Sequence, residues 1–166
     1  ALLKLSRIDA GAVDFRSEPV RVAELVEKAV APLEIPMELR QITLIRSGEE
    51  EASFMGDMAW TTEAVVNILK NCMEHTPPGG HVEIRYAENT LHTELIIRDT
   101  GSGILHEDLP HIFERFYRGR NAEADSVGIG LAMAKTIVQH QNGDIVVESQ
   151  WGKGTTFTLK FYKRIV

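Results

Sequence analysis

The sequence predicts an α+β sandwich, with helices packed on one face of a mixed sheet, and three observations carry that prediction. An uninterrupted run over residues 58–75 sets Val65, Ile68, Leu69 and Cys72 at the spacing of one helical face. Apolar residues alternate or cluster at Val82, Ile84 and Tyr86, at Leu95-Ile96-Ile97, and in the segments 145–148 and 156–161, as strands do. A second helical run places Leu131, Ala134, Ile137 and Val138 on one side.

Taken in order, residues 1–13 put Leu2, Leu5 and Ile8 on one helical face and stop at Gly11. This stripe has little to pack against, and reads equally as a core helix or as the end of a preceding helical hairpin. A short edge strand that tolerates Pro19 is expected over 15–20, followed by a helix through Val22, Leu25, Val26, Ala29 and Val30. Pro32 and Pro36 break up what continues it. Residues 42–45 and 52–55 read as two short strands around the acidic turn 49–51, and Asp57 as the N-cap of helix 58–75. Pro77-Pro78-Gly79-Gly80 ends that helix, and a turn near Asn89 leads into the strand that carries Asp99. A short helix is expected around 109–113, then a polar, Ala-rich, partly basic segment over 118–126 that should be mobile. Gly128-Ile129-Gly130-Leu131 opens the last helix, Asn142-Gly143 ends it, and the turn at Gly152-Lys153-Gly154 joins two final strands.

Bulk properties narrow the function. At 166 residues, with 43% hydrophobic and 25% charged content, one soluble domain is the default. A net charge of -6 argues against broad nucleic-acid affinity, which needs a basic surface to displace counterions. No apolar run approaches the roughly 20 residues of a membrane span, and no signal-peptide pattern opens the chain, so neither membrane contact nor export is expected and the location is read as cytoplasmic. Cys72 is the sole cysteine, which excludes an internal disulfide and fits a reducing compartment. A start at Ala1-Leu2-Leu3 reads as a piece of a longer protein.

Three stretches carry candidate chemistry. Asp99-Thr100-Gly101-Ser102-Gly103 delivers a carboxylate at a strand end, where glycines let the backbone turn and approach a ligand closely. An ionised Asp offers only acceptors and suits an exocyclic amine such as N6 of adenine, although most such segments are ordinary turns. On helix 58–75, Asn67 and Asn71 are a turn apart and Glu74 and His75 follow, which is either a solvated face or a row of ligands. Magnesium prefers oxygen ligands and takes few from protein when phosphates supply the rest, so the Asn71 amide would suffice, with Asn67 behind it. Gly128-Ile129-Gly130 precedes a helix, whose first N–H groups suit a phosphate, and Arg118 and Arg120 could close over it. Phe113 and Phe116 are equally well core anchors of that loop. The six histidines lack metal-ligand spacing, and neither a Gly-x-Ser-x-Gly elbow nor a Walker lysine loop is present.

In order, Asn67-Ile-Leu-Lys-Asn71-Cys-Met-Glu-His75-Thr-Pro, Asp99-Thr-Gly-Ser-Gly, Phe113-Glu-Arg-Phe-Tyr-Arg118, Gly128-Ile-Gly-Leu131 and Gly152-Lys-Gly-Thr-Thr-Phe157 resemble the N, G1, F, G2 and last glycine boxes of sensor histidine kinases. The likeness covers about residues 15–162 and implies a Bergerat-type ATP-binding fold over 14–166, with 1–13 as the end of the dimerisation and phosphoacceptor hairpin. It implies that Asp99 reads adenine, that Asn71 binds magnesium with Asn67 beside it, and that His75 and Tyr117 line the sugar and phosphate region. Arg118, Gly128, Ile129, Gly130 and Leu131 would meet the phosphates. Glu74, Gly101, Gly103, Ile104 and Thr155 would complete the ATP site, under a lid over 113–127.

The implied reaction is transfer of the γ-phosphate of Mg-ATP to a histidine on the dimerisation domain, for relay to a response regulator. The parent would be a membrane-anchored homodimer, and the excised piece a monomer. Glu74 stands where many members carry a lysine, which leaves phosphate neutralisation to Lys70 or Arg118, or turns Glu74 toward the partner domain. No histidine here lies in a phosphoacceptor box. Two other readings stand beside this one: a degenerate, nucleotide-responsive module, and an ATPase of the gyrase, chaperone or mismatch-repair type, which would carry glutamate at the Asn67 position.

Overall fold

Side-chain alternation builds the sheet. In the computed structural model, which describes residues 2–117 and 128–164, β4 (His81–Glu88) buries Val82 and Ile84, and β5 (His92–Asp99) buries Leu95 and Ile97. Between these strands, the Asn89 side chain accepts the N–H groups of Leu91 and His92 at 2.8 and 2.9 Å and so fixes the antiparallel register. On the far side of β5, β7 (Gly154–Tyr162) contributes Phe157, Leu159 and Phe161 to the core, and β6 (Gly143–Gln150) pairs with its outer edge. β2 (Thr43–Gly48) joins the other edge parallel to β4, which makes the five-stranded sheet mixed, in the order β2-β4-β5-β7-β6.

Helices cover one face. α2 (Val22–Val30), α4 (Met58–His75) and α5 (Gly130–Gln139) bury their apolar stripes, α4 through Ala64, Val65, Ile68, Leu69 and Cys72. Asp57 caps α4 as expected, its carboxylate accepting the Trp60 N–H at 2.9 Å. The buried Gln141 then ties the start of α4 to the end of α5, accepting from the Asp57 N–H at 2.6 Å and donating to the Ile137 carbonyl at 3.1 Å. After Val30 the chain turns through a single 3-10 segment at Ala31–Leu33 into the short α3 (Glu34–Leu39).

Three local expectations change. The acidic turn 49–51 does not close a hairpin: β3 (Ser53–Gly56) leaves the main sheet and pairs with β1 (Glu18–Arg21) as a separate two-stranded ribbon. The helix expected around 109–113 contracts to one 3-10 turn, Leu109–His111, with Pro110 inside it. The N-terminal stripe does find a partner, because α1 (Leu2–Asp9) lies against α5 with Leu5 and Ile8 at 0% and 1% exposure. A Lys4–Glu63 ion pair at 2.8 Å and an Asp9–Arg115 pair flank that contact.

Candidate functional site

Asp99 ends the central strand and is 3% exposed. Its Oδ1 accepts the N–H of Gly101 at 2.9 Å and of Thr155 at 3.2 Å. Burial pushes the Asp99 carboxyl above its ordinary range, while the Gly101 and Thr155 N–H groups, the neighbouring Cys72 side chain and His75 pull it back. Burial first, and then the Asp99 charge, hold the Cys72 group well above the usual thiol range, so it stays an S–H donor.

The glycine turn after Asp99 packs on the last turn of α4. Ser102 donates its N–H to the His75 carbonyl at 3.0 Å, and a Cβ on Gly101 would run into that same carbonyl. Gly103, at φ +76°, lies against the Gln150 backbone, and the Gly152 N–H bonds the Ser102 carbonyl at 2.6 Å, so the two glycine turns interlock. Ser149 completes the floor, its hydroxyl accepting the Ile104 N–H at 2.7 Å and pairing with Thr155 Oγ1 at 2.9 Å.

α4 supplies the adjoining wall. Asn67, Asn71, Glu74 and His75 are all half-buried along it, and Glu74 is already engaged within the fold. Opposite Asn67, the opening of α5 comes so close that a Cβ on Gly130 would sit 3.7 Å from the Asn67 Cβ. The N-cap residue of that helix, Ile129, makes no side-chain cap, and among the described residues the first N–H groups and the positive end of the dipole begin beside Asn67. The Asn67 Nδ2 atom is buried with no partner among the described residues. Asn67 to His75 spans about 12 Å at 1.5 Å per residue. The carboxylate, the two amides and the uncapped helix start therefore lie along one edge of α4.

At the edge of this cleft, the Phe116 N–H bonds the Gly128 carbonyl at 2.9 Å. Phe116 has φ 65° and is 60% exposed, whereas Phe113 packs edge-on against Phe157 with the Lys135 ammonium 4.6 Å from its ring, so only Phe113 is a core anchor. The Tyr117 hydroxyl donates to the Asp108 carboxylate, which pushes its pKa up to about 12, and His111 stacks on its ring. Arg118, Arg120 and the rest of the expected lid over 118–127 lie outside the described residues. Sequence reasoning missed Asp108 as a partner of Tyr117, and Ser149, and neither carries a local signal.

Residues 56–165 match the family model described as histidine kinase-, DNA gyrase B-, and HSP90-like ATPase. The chain is 34% identical over 164 residues to the heme sensor protein HssS of Staphylococcus saprophyticus, a match that covers 98% of this chain and 35% of HssS. Among solved structures, the mycobacterial sensor histidine kinase MprB aligns with TM-score 0.75 and 29% identity over 90% of this chain and 100% of that one. Full-length ShkA in complex with AMPPNP aligns at 0.85 over 99% of this chain and 35% of that one, at 19% identity, which speaks for the fold alone. The chain thus spans about a third of the length of HssS. A model match over well over half of the chain, relatives that are sensor histidine kinases, and the same mixed sheet with its helical layer establish that this chain belongs to the histidine kinase-, DNA gyrase B- and HSP90-like ATPase family.

Proposed function

We propose that the chain is the ATP-binding catalytic domain of a sensor histidine kinase, which positions Mg-ATP so that its γ-phosphate passes to a histidine on a dimerisation domain, for relay to a response regulator. The observation that supports this best is the buried Asn67 Nδ2, which has no partner among the described residues, between the start of α5 and the wall that leads to Asp99. A polar atom left unpaired at a helix N-terminus suits an anionic ligand.

In this reading Asp99 accepts the amine of adenine, while Gly101 and Thr155 hold the carboxylate and Gly103 and Ile104 shape the floor. His75 and Tyr117 flank the sugar and phosphates. The backbone of Gly128, Ile129, Gly130 and Leu131 receives the phosphate tail, with Arg118 neutralising it. The Asn71 amide oxygen is the single protein ligand that magnesium needs when phosphates and water supply the others. Among the described residues no group of three or more His, Cys, Asp or Glu side chains could hold a metal ion. Held by Asn71, such an ion would supply positive charge that offsets the phosphate charge during transfer.

Asn67 decides between phosphotransfer and hydrolysis. A carboxylate there would take a proton from water, whereas an amide does not, so the γ-phosphate is kept for another nucleophile. The acceptor lies outside residues 14–166, and α1 is the end of the hairpin that brings it. We place the whole protein as a membrane-anchored homodimer, although no helix among the described residues is long and apolar enough to cross a membrane. Calorimetric titration with ATP and magnesium tests the site: tight binding is expected, and its loss in Asp99→Asn. No binding by the unmodified chain would turn the assignment to a non-catalytic regulatory module.

A further inference from the structure

We propose that Asp108 is a positioning residue for the phosphate end of the nucleotide site: it holds Tyr117 in place, and with it the backbone on which Gly128 packs before α5 opens. The inference rests on the nucleotide reading above and adds a residue to it. Ahead of α5, the N–H groups of Asp108, His111 and Glu114 bond the carbonyls of Leu105, Asp108 and His111, each at 2.9 Å, and the Tyr117 N–H bonds the Glu114 carbonyl at 3.4 Å. Such a three-residue repeat lines side chains up along one side, whereas the α-helical period would set Asp108 and Tyr117, 9 residues apart, on opposite sides. On the shared side the Tyr117 hydroxyl donates to the Asp108 carboxylate, the His111 ring stacks on Tyr117 with centroids 5.2 Å apart, and Glu114 lies 2.9 Å from His111 Nδ1. Asp108 is 9% exposed, so the acceptor that Tyr117 reaches is fixed in the fold.

This tether secures the next link of the chain. Phe116, the neighbour of Tyr117, is at φ 65°, a conformation that a non-glycine residue keeps only where its surroundings hold it. Its N–H bonds the Gly128 carbonyl at 2.9 Å, and a Cβ on Gly128 would lie 2.7 Å from the Tyr117 carbonyl oxygen. Gly130, the first residue of α5, then faces Asn67. Without Asp108, Tyr117 is released, Phe116 can relax to negative φ, and the backbone that receives the phosphates loses its fixed place.

The test is a double-mutant cycle on Mg-ATP affinity, measured by calorimetry on the whole chain with Asp108→Ala, Tyr117→Phe and the two combined. Each single change should weaken ATP about tenfold, within the usual coupling of residues in contact, and the pair no more than either alone. Asp108→Asn, which keeps an acceptor for the hydroxyl, should recover most of the affinity. Adenosine, followed by amide NMR shifts, should bind all variants alike, because its base contacts lie at Asp99. Urea midpoints establish that the variants are folded. Should Asp108→Ala not fold, Tyr117→Phe beside Asp108→Asn carries the comparison, and a Tyr117→Phe variant of unchanged affinity overturns the inference. Additive losses in the combined variant overturn it too, as do an unweakened Asp108→Ala, an Asp108→Asn as weak as Asp108→Ala, and an equal loss of adenosine. If the unmodified chain binds no ATP, the nucleotide reading itself fails before any variant is compared, and the inference falls with it.

Discussion

Asp99 is held in a state that costs the empty fold something and serves the ligand. Its carboxyl is raised by burial, so its contribution to stability is full below the ordinary carboxyl range of about 4 and is lost as pH rises through the higher folded value. Nucleotide affinity has the opposite sign, because the amine needs the ionised acceptor: ATP binding should weaken as pH falls through that raised value. Asp99→Asn keeps an oxygen for Gly101 and Thr155 but removes the charge and can turn an N–H toward the amine. We expect ATP affinity to drop on the order of 100-fold, the loss of one charged hydrogen bond. The urea midpoint should hold or rise, and the acid-side dependence of binding should flatten. Gly101 gives a contrasting case. Gly101→Ala forces a Cβ toward the His75 backbone carbonyl, which cannot move without the end of α4, so destabilisation of about 1–3 kcal/mol is expected in urea unfolding.

At the scale of elements, α1 is the segment whose role the sequence left open. Leu5 is fully buried against the domain, whereas Leu3 on the same helix is 75% exposed. Leu5→Ala should therefore cost about 3 kcal/mol and Leu3→Ala less than about 0.5. Equal, negligible effects in urea unfolding would make α1 a loose appendage. The contrast explains what was legible. Periodicity gave α4 and its Asp57 cap nearly to the residue, because helix spacing and capping are local. The same periodicity showed a stripe on α1 but not its partner α5, which comes from the far end of the chain. Residues 42–45 and 52–55 were legible as strands for the same reason, yet their pairing with β4 and β1 depends on sheet topology that adjacency hides. Within the site, glycines and amides announced themselves by type and spacing. The Tyr117–Asp108 hydrogen bond did not, since a lone loop aspartate shows no partner in its local spacing.

For the whole molecule, the decisive quantity is where the γ-phosphate goes. In the proposed site the nucleotide would run from Asp99 at the end of β5 to the start of α5, where the α4 side chain beside Gly130 is a neutral amide, Asn67. General-base help commonly contributes about 10²–10⁴ in rate, so a chain that lacks it at this position should consume ATP slowly when alone. Supplying a helical hairpin that bears an acceptor histidine provides the missing nucleophile and, if positioned beside the α5 end, removes the need for a protein base to activate water. We expect labelled γ-phosphate to appear on that hairpin histidine as an acid-labile adduct, while release of free phosphate stays low. Asn67→Ala should reduce labelling through loss of the amide that faces the phosphate end, without unfolding the chain, because its Nδ2 makes no bond within the described residues. Rapid phosphate release by the chain alone, with no labelling of the hairpin, would instead align it with the hydrolytic branch of its family.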